Sequence, residues 1–270
     1  MRGARRPDGI RTRYLEDYLL TSRAISLTPA QLHVATAEIE TLPGLSTTGG
    51  DDVRILGVDE YKEAAATLVD AFADDDVIWY FLDTPDSAHW TKEQKWDLHV
   101  KSLEYITYAH CMKGLVVSAG PNHDCVALWM PPGENMDDLL TIMRSGMWRL
   151  NYQLSAEGRA RFFSEFLPLL HDTKARILGP RDDESWYLVY IGTKSTSRGK
   201  GYARKVVDFV TRRADLEGRA CYLESSHPIN QVIYGKLGFE MKRNIWLQRA
   251  EENIGLDIMV REPKKLRERL

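Results

Sequence analysis

Cysteine is scarce in this chain. Its three cysteines, Cys111, Cys125 and Cys221, lie far apart with no C-x-x-C pair. That excludes a disulfide framework and a cysteine metal site, and it suits a reducing compartment. Positive charge is not in excess either. A formal net charge of −3 argues against the broad basic face that a nucleic-acid partner needs. No apolar run approaches the ~20 residues of a membrane span, so no membrane partner is expected. The sequence has no internal repeat. The acidic run Asp74-Asp75-Asp76 cannot converge on a single ion; it reads as a solvated helix end, and no metal is expected.

What is present is ordinary for a globular protein. The 270 residues are 43% hydrophobic and 28% charged, enough for one sizeable core or a core with an appendage. Arg2, Arg5, Arg6, Arg11 and Arg13 crowd the start. Asp8, Glu16 and Asp17 interrupt them, whereas organelle transit peptides are poor in acids. Residues 1–50 therefore read as a loosely ordered leader of a cytoplasmic protein, the arginine cluster being the one feature that points to an organelle. The leader has room for a short helix at 14–23 or 29–39. The Pro- and Gly-containing stretch 42–50 reads as a linker. The main domain spans 51–263, with a helical insertion at about 134–182 and a charged tail at 264–270.

Periodicity orders the main domain. Residues 53–56 read as a short strand. Asp59 is placed to cap a helix through Ala64, Ala65, Leu68, Val69 and Phe72. The block Trp79 to Leu82 suits a loop or short helix. A longer helix runs from Thr91 to about His110, with Trp96, Val100, Leu103 and Ile106 on one stripe. Residues 114–119 and 125–130 form a hairpin around Gly120–Asp124. Pro168 should kink or end a helix in the insertion. Trp186 to Ile191 reads as a strand buried on both faces. The helix from Gly201 to Leu216 puts Ala203, Val206, Val207, Val210 and Ala214 on one face, and Gly218 stops it. A strand from Ala220 to Glu224, a short helix capped by Asn230 and running to Gly238, and strands at 239–247 and 255–260 complete the order. The result is a mixed α/β sheet, antiparallel at first and parallel across the crossover helix.

The stretch Arg198-Gly199-Lys200-Gly201-Tyr202-Ala203 joins that buried strand to the crossover helix. A helix start has backbone N–H groups with no intrahelical partner, and the macrodipole makes it partly positive. Two residues without Cβ let a phosphate approach the backbone, while Lys200 and Arg204 add charge at the rim. A Walker loop fails, because Gly201 follows Gly199-Lys200. A dinucleotide fingerprint fails, because the third glycine position is Arg204. What remains is [QR]-x-x-G-x-[GA].

This pattern resembles the pyrophosphate loop of the GNAT superfamily of acyl-CoA N-acyltransferases. Further elements stand in the family's order: Leu188 to Thr193 before the turn, Tyr222-Leu223-Glu224-Ser225-Ser226 after the helix, then Asn230 and Tyr234-Gly235-Lys236-Leu237-Gly238-Phe239. The stretch Ala127 to Gly133 and the start Trp186-Tyr187-Leu188 are similar to the puromycin N-acetyltransferase type. The resemblance covers about Val53 to Val260. It implies an α/β (α+β) fold of GNAT type: a mixed, mostly antiparallel sheet flanked by helices and splayed between its fourth and fifth strands. Lys194-Ser195-Thr196-Ser197 departs from the proline often found before the turn. Arg198 stands for the commoner glutamine and Ala203 for the commoner glycine.

The resemblance implies acetyl-CoA as co-substrate and the amine of a small molecule as acceptor. Cofactor contacts are expected from Ile191, Gly192, Thr193, Arg198, Gly199, Lys200, Gly201, Tyr202, Ala203 and Asn230. Backbone N–H groups at 191–193 would face the thioester oxyanion, with Gly192 permitting a bulge or splay. Tyr234 sits where the family places its catalytic acid. An alkylamine titrates near ~10.4, so attack needs a base or a desolvating pocket. Tyr187 occupies the position at which some relatives carry a catalytic glutamate; Glu224, His227 and water stay open as the base. Trp79, Tyr80, Trp129, Met147 and Trp148 are either acceptor-pocket lining or core, and favour an apolar or aromatic amine if lining. A homodimer is allowed. The rival readings are a catalytically silent acyl-CoA-binding module and a protein or peptide amine acetyltransferase.

Overall fold

The computed structural model describes residues 53–264. The leader, the short helix expected in it, the linker and most of the charged tail lie outside the described residues. In chain order, β1 (Val53–Leu56) leads to α1 (Tyr61–Ala71), α2 (Asp76–Leu82) and α3 (Lys92–Lys113). The hairpin β2 (Leu115–Ala119) and β3 (Cys125–Met130) follows. The insertion then supplies α4 (Leu139–Ser145), α5 (Leu150–Gln153), α6 (Ala156–Arg161) and α7 (Leu167–Leu178). β4 (Trp186–Thr193), α8 (Tyr202–Glu217), β5 (Cys221–Ser225), α9 (Pro228–Gly235), β6 (Glu240–Leu247) and β7 (Ile254–Arg261) close the chain.

The strands form one sheet in the order β1-β2-β3-β4-β5-β7-β6. Every neighbouring pair is antiparallel except β4 and β5, which the crossover helix α8 makes parallel. β2 and β3 are buried at every position, because both sheet faces are covered. On one face, Cys125, Ala127 and Trp129 of β3 pack with Val206, Val207, Val210 and Ala214 of α8. On the other, Val126 and Leu128 meet Ala64 and Leu68 of α1 and Leu103 of α3. Beyond β5 that second face is covered by α2 and the insertion, against Tyr222, Ile258 and Val260. Tyr190 and Phe72 touch both of these clusters.

The α8 stop falls where expected: Gly218 is left-handed (φ 66°) and its N–H bonds back to the last helical turn. Several local expectations are corrected. Asp59 lies inside a 3-10 turn, Val58–Glu60, and caps nothing. Asp75 is not a solvated helix end; its carboxylate caps α2 by accepting from the N–H groups of Val77 and Ile78. Trp96 is 42% exposed, while His99 and His110 are fully buried. The face of α3 is set by polar residues that an apolar count passes over. Pro168 neither breaks nor ends its helix. It sits in the first turn of α7, directly after a π-turn at Phe162–Phe166, whose wider i→i+5 spacing absorbs the missing N–H.

Gly192 has a packing role. A Cβ there would come within 2.6 Å of the Ala71 Cβ and 3.1 Å of a Leu68 methyl, so its absence lets α1 lie directly on β4. Gly192→Ala should cost about 1–3 kcal/mol through overpacking. A urea midpoint lowered at unchanged slope would register that cost.

Candidate active site

β4 and β5 pair only at Trp186–Cys221, Tyr187–Tyr222 and Leu188–Leu223. Past that point the strands part. β4 stays paired with β3 as far as Thr193, and β5 stays paired with β7 as far as Ser225. The register of β4 against β3 slips between Leu128 and Trp129, leaving Val189 as the extra residue. The bulge therefore lies at Val189 and not at Gly192. Lys194 N–H donates to the Asp124 carbonyl at 2.9 Å. By the alternation of an antiparallel ladder, Tyr190 and Gly192 also face β3, while Ile191 and Thr193 turn their N–H and C=O into the gap. This is also why β4 is not buried throughout: beyond Leu188 it turns half-buried wherever α1 does not cover it.

The glycine turn stands at the end of β4. Gly199 (φ 79°) and Gly201 (φ 80°) are both left-handed, a conformation that L side chains resist. Nothing lies within 4 Å of where a Cβ would stand at either glycine. Gly201 caps α8 with no side-chain hydrogen bond, so the first-turn N–H groups are left for a ligand. Arg198, Lys200 and Arg204 are exposed around it. Tyr202 and Ala203 pack their side chains on the core and offer only backbone. Hydrogen bonds do the work of the absent proline: the Ser197 hydroxyl donates to Asp124 at 2.8 Å, and Ser195 N–H donates to Asp70 at 2.7 Å. The residues present fit a diphosphate.

Tyr234 lies on the α8 side of the sheet, in the same cluster as Cys125 and Leu223. Its ring is buried, edge-on to Phe239 at 5.9 Å. Its hydroxyl makes no hydrogen bond among the described residues. Burial, and then the neighbouring Cys125, push the phenol above its ordinary value.

The opposite face of the gap holds Glu224, from β5, with Tyr187, Tyr190 and Tyr222. Tyr187 and Tyr222 meet edge-on at 5.5 Å. Burial pushes Glu224 up to about 7, against the opposing pull of the two tyrosine hydroxyls and of Lys174. The hydroxyls lie near the carboxylate, yet Glu224 Oε1 and the Tyr222 hydroxyl are buried without a partner at hydrogen-bond geometry. Lys174, from α7, sits 5.9 Å from the Tyr187 ring centroid and is tied to the Asp182 carbonyl at 2.7 Å. Asp75 accepts from the Ser226 hydroxyl at 2.8 Å, and burial pushes its carboxyl up. Among the described residues no group of His, Cys, Asp and Glu is arranged to hold a metal, and no helix is long and apolar enough to cross a membrane.

No family model matches the sequence. The fold is similar to that of arylalkylamine N-acetyltransferase 2 from Aedes aegypti, with TM-score 0.51 and 17% identity over 80% of this chain and all (100%) of that one. It is equally similar to mosquito arylalkylamine N-acetyltransferase like 5b, with TM-score 0.51 and 14% identity over 78% of this chain and 98% of that one. An uncharacterized N-acetyltransferase of Schizosaccharomyces pombe is 50% identical over 206 residues, which cover 76% of this chain and 81% of the yeast protein. The chain belongs to the GNAT family of N-acetyltransferases.

In this N-acetyltransferase not every expected site residue has the expected local role. Asn230 is not the cap of α9. His227 is, its ring Nδ1 accepting from Ile229 N–H at 3.3 Å, and Asn230 lies in the first turn. The helix ends at Gly235, short of Gly238. His227 is exposed, whereas Glu224 Oε1 is buried. The carboxylate that some relatives are expected to carry at Tyr187 here arrives from the next strand, beside that tyrosine. Of the aromatic residues expected at the acceptor pocket, Trp129 is fully buried on the α8 side. The Tyr80 hydroxyl is held between Glu165 and the Arg249 N–H. Trp148 packs on Arg149 and Tyr152. Asp75, read as one of three solvated acids, and Tyr190, read only as part of a buried strand, were not expected at the site. The only signal for Asp75 was a capping residue before an apolar run.

Proposed function

We propose that this enzyme transfers the acetyl group of acetyl-CoA to the amine of a small molecule by direct attack on the thioester. The observation that carries this reading is the parting of β4 and β5 beside an uncapped helix start. A parted edge with backbone N–H and C=O turned inward can pair with the amides of a pantetheine arm, and the α8 start can take its diphosphate. Glu224 removes the proton of the attacking amine. The N–H groups turned into the gap at Ile191 and Thr193 stabilise the oxyanion. The thioester C–S bond breaks with its electron pair on sulfur, and Tyr234 donates a hydrogen bond to the thiolate. The insertion favours a small acceptor: α7 brings Lys174 against Tyr187 and covers the side from which a peptide groove would open.

The test is thiol release from acetyl-CoA with a panel of small amines, run beside thermal unfolding with acetyl-CoA. Turnover with at least one amine is expected. Ligand at ~100 times its dissociation constant should add about 2.7 kcal/mol of stability. Stabilisation without turnover for any amine would mean a silent acyl-CoA-binding module. Turnover with lysine peptides alone would mean a protein acceptor.

A further inference from the structure

Residues 70–75 cross the mouth of the parted sheet and are tied to both arms. At the β4 end, Asp70 accepts from the Ser195 N–H at 2.7 Å and from its hydroxyl at 3.4 Å. Ala71 lies against Gly192, where a Cβ would stand only 2.6 Å away. At the β5 end, Asp75 accepts from the hydroxyl of Ser226, the residue that follows the strand, at 2.8 Å. Between the ties, Phe72 sits edge-on to Tyr190 at 5.3 Å, and Tyr190 feels the charges of both Asp75 and Glu224. The segment thus passes beside the reacting centre while joining two strand ends that no longer bond to each other.

We propose that this bridge sets the width of the gap and thereby the largest acyl group the enzyme accepts, with Asp75 and Ser226 as positioning residues. The two arms share ladder bonds only up to Leu188 and Leu223. Beyond that point each arm is held by its outer neighbour, β3 or β7, and across the gap by what spans them. The Asp75–Ser226 hydrogen bond is the tie on the β5 side, and the Asp75 carboxylate is otherwise occupied in capping α2. Without that tie the end of β5 is held by its ladder with β7 alone, and room opens beside Tyr190 for a longer chain.

The inference rests on the acyl-transfer reading, and its test keeps the two apart. The full-length protein, Ser226→Ala and Asp75→Ser are compared with acetyl-, propionyl- and butyryl-CoA at a fixed amine; serine at 75 retains a cap for α2. The ratio of kcat/KM for butyryl-CoA to that for acetyl-CoA should rise about tenfold or more in both variants, the effect of one or two methylenes in an apolar pocket. Loss of stability alone would lower all three substrates together and leave the ratio unmoved. A ratio within about twofold of wild type in both variants overturns the bridge while wild-type turnover upholds the acyl-transfer reading. If the wild type turns over none of the three, the selectivity is read from thermal stabilisation by the same ligands. Absence of stabilisation as well overturns both.

Discussion

Tyr234→Phe is expected to lower kcat about a hundredfold while leaving the dissociation constant for acetyl-CoA within about threefold. The reason lies in which proton can move. A thiol near ~8.5 is a stronger acid than a phenol near ~10, so full transfer from tyrosine is uphill by about 2 kcal/mol in water. Burial raises the Tyr234 phenol further, which favours a donated hydrogen bond over outright proton loss. A buried phenol with a free hydroxyl is instead a strong donor to a thiolate, and low local dielectric strengthens that bond. Phenylalanine keeps the ring against Phe239 and removes only the donor, so folding should be nearly unaffected. Pre-steady-state thiol release together with calorimetric binding separates the two quantities. An unchanged kcat would take Tyr234 out of the reaction.

Glu224→Gln is expected to lower kcat/KM by about 10²- to 10³-fold, the usual contribution of a placed general base. The pH dependence gives the stronger signature. Glu224 is held up to about 7 by burial, so below that value it carries its proton and cannot accept another. The wild-type profile should fall with acidification through a break near 7, on top of the acceptor's own ionisation. The variant lacks the Glu224 carboxyl and should lose the break while keeping the acceptor's slope. A break that survives in the variant would move the base elsewhere. Glutamine fills the same volume and removes a buried charge, so a collapse of the fold is not the expected route to lost activity.

How much of this was legible depended on whether the information was local. The glycine turn was readable because a left-handed backbone at Gly199 and Gly201 is a property of the residues themselves. The crossover helix was readable from the spacing of Val206, Val207, Val210 and Ala214, and its end from Gly218. The role of Gly192 was not, since nothing in its neighbours along the chain announces that Ala71 will arrive on top of it. Asp75 looked like one of three solvated acids; its partner Ser226 is 151 positions away. The cap of α9 reads as Asn230 only if Pro228 is passed over; a proline in the first helical turn marks the residue before it, His227, as the cap.

Glu224 shows the same division most clearly. From the chain alone it was one carboxylate among several, no better placed than His227. Its proton affinity is a matter of water being excluded by Tyr187, Tyr222 and the insertion, which come from three separate regions of the sequence.

What the chain determined by itself was the order of its elements and the left-handed glycine turn before the crossover helix, because backbone conformation and periodicity act over a few residues; the kind of reaction followed from the resemblance of its motifs to the GNAT superfamily. The tertiary structure alone decided which carboxylate stays half-protonated near neutrality, at which residues the fourth and fifth strands cease to pair and what spans the opening. Those depend on desolvation and on hydrogen bonds between segments that meet only when the chain is folded.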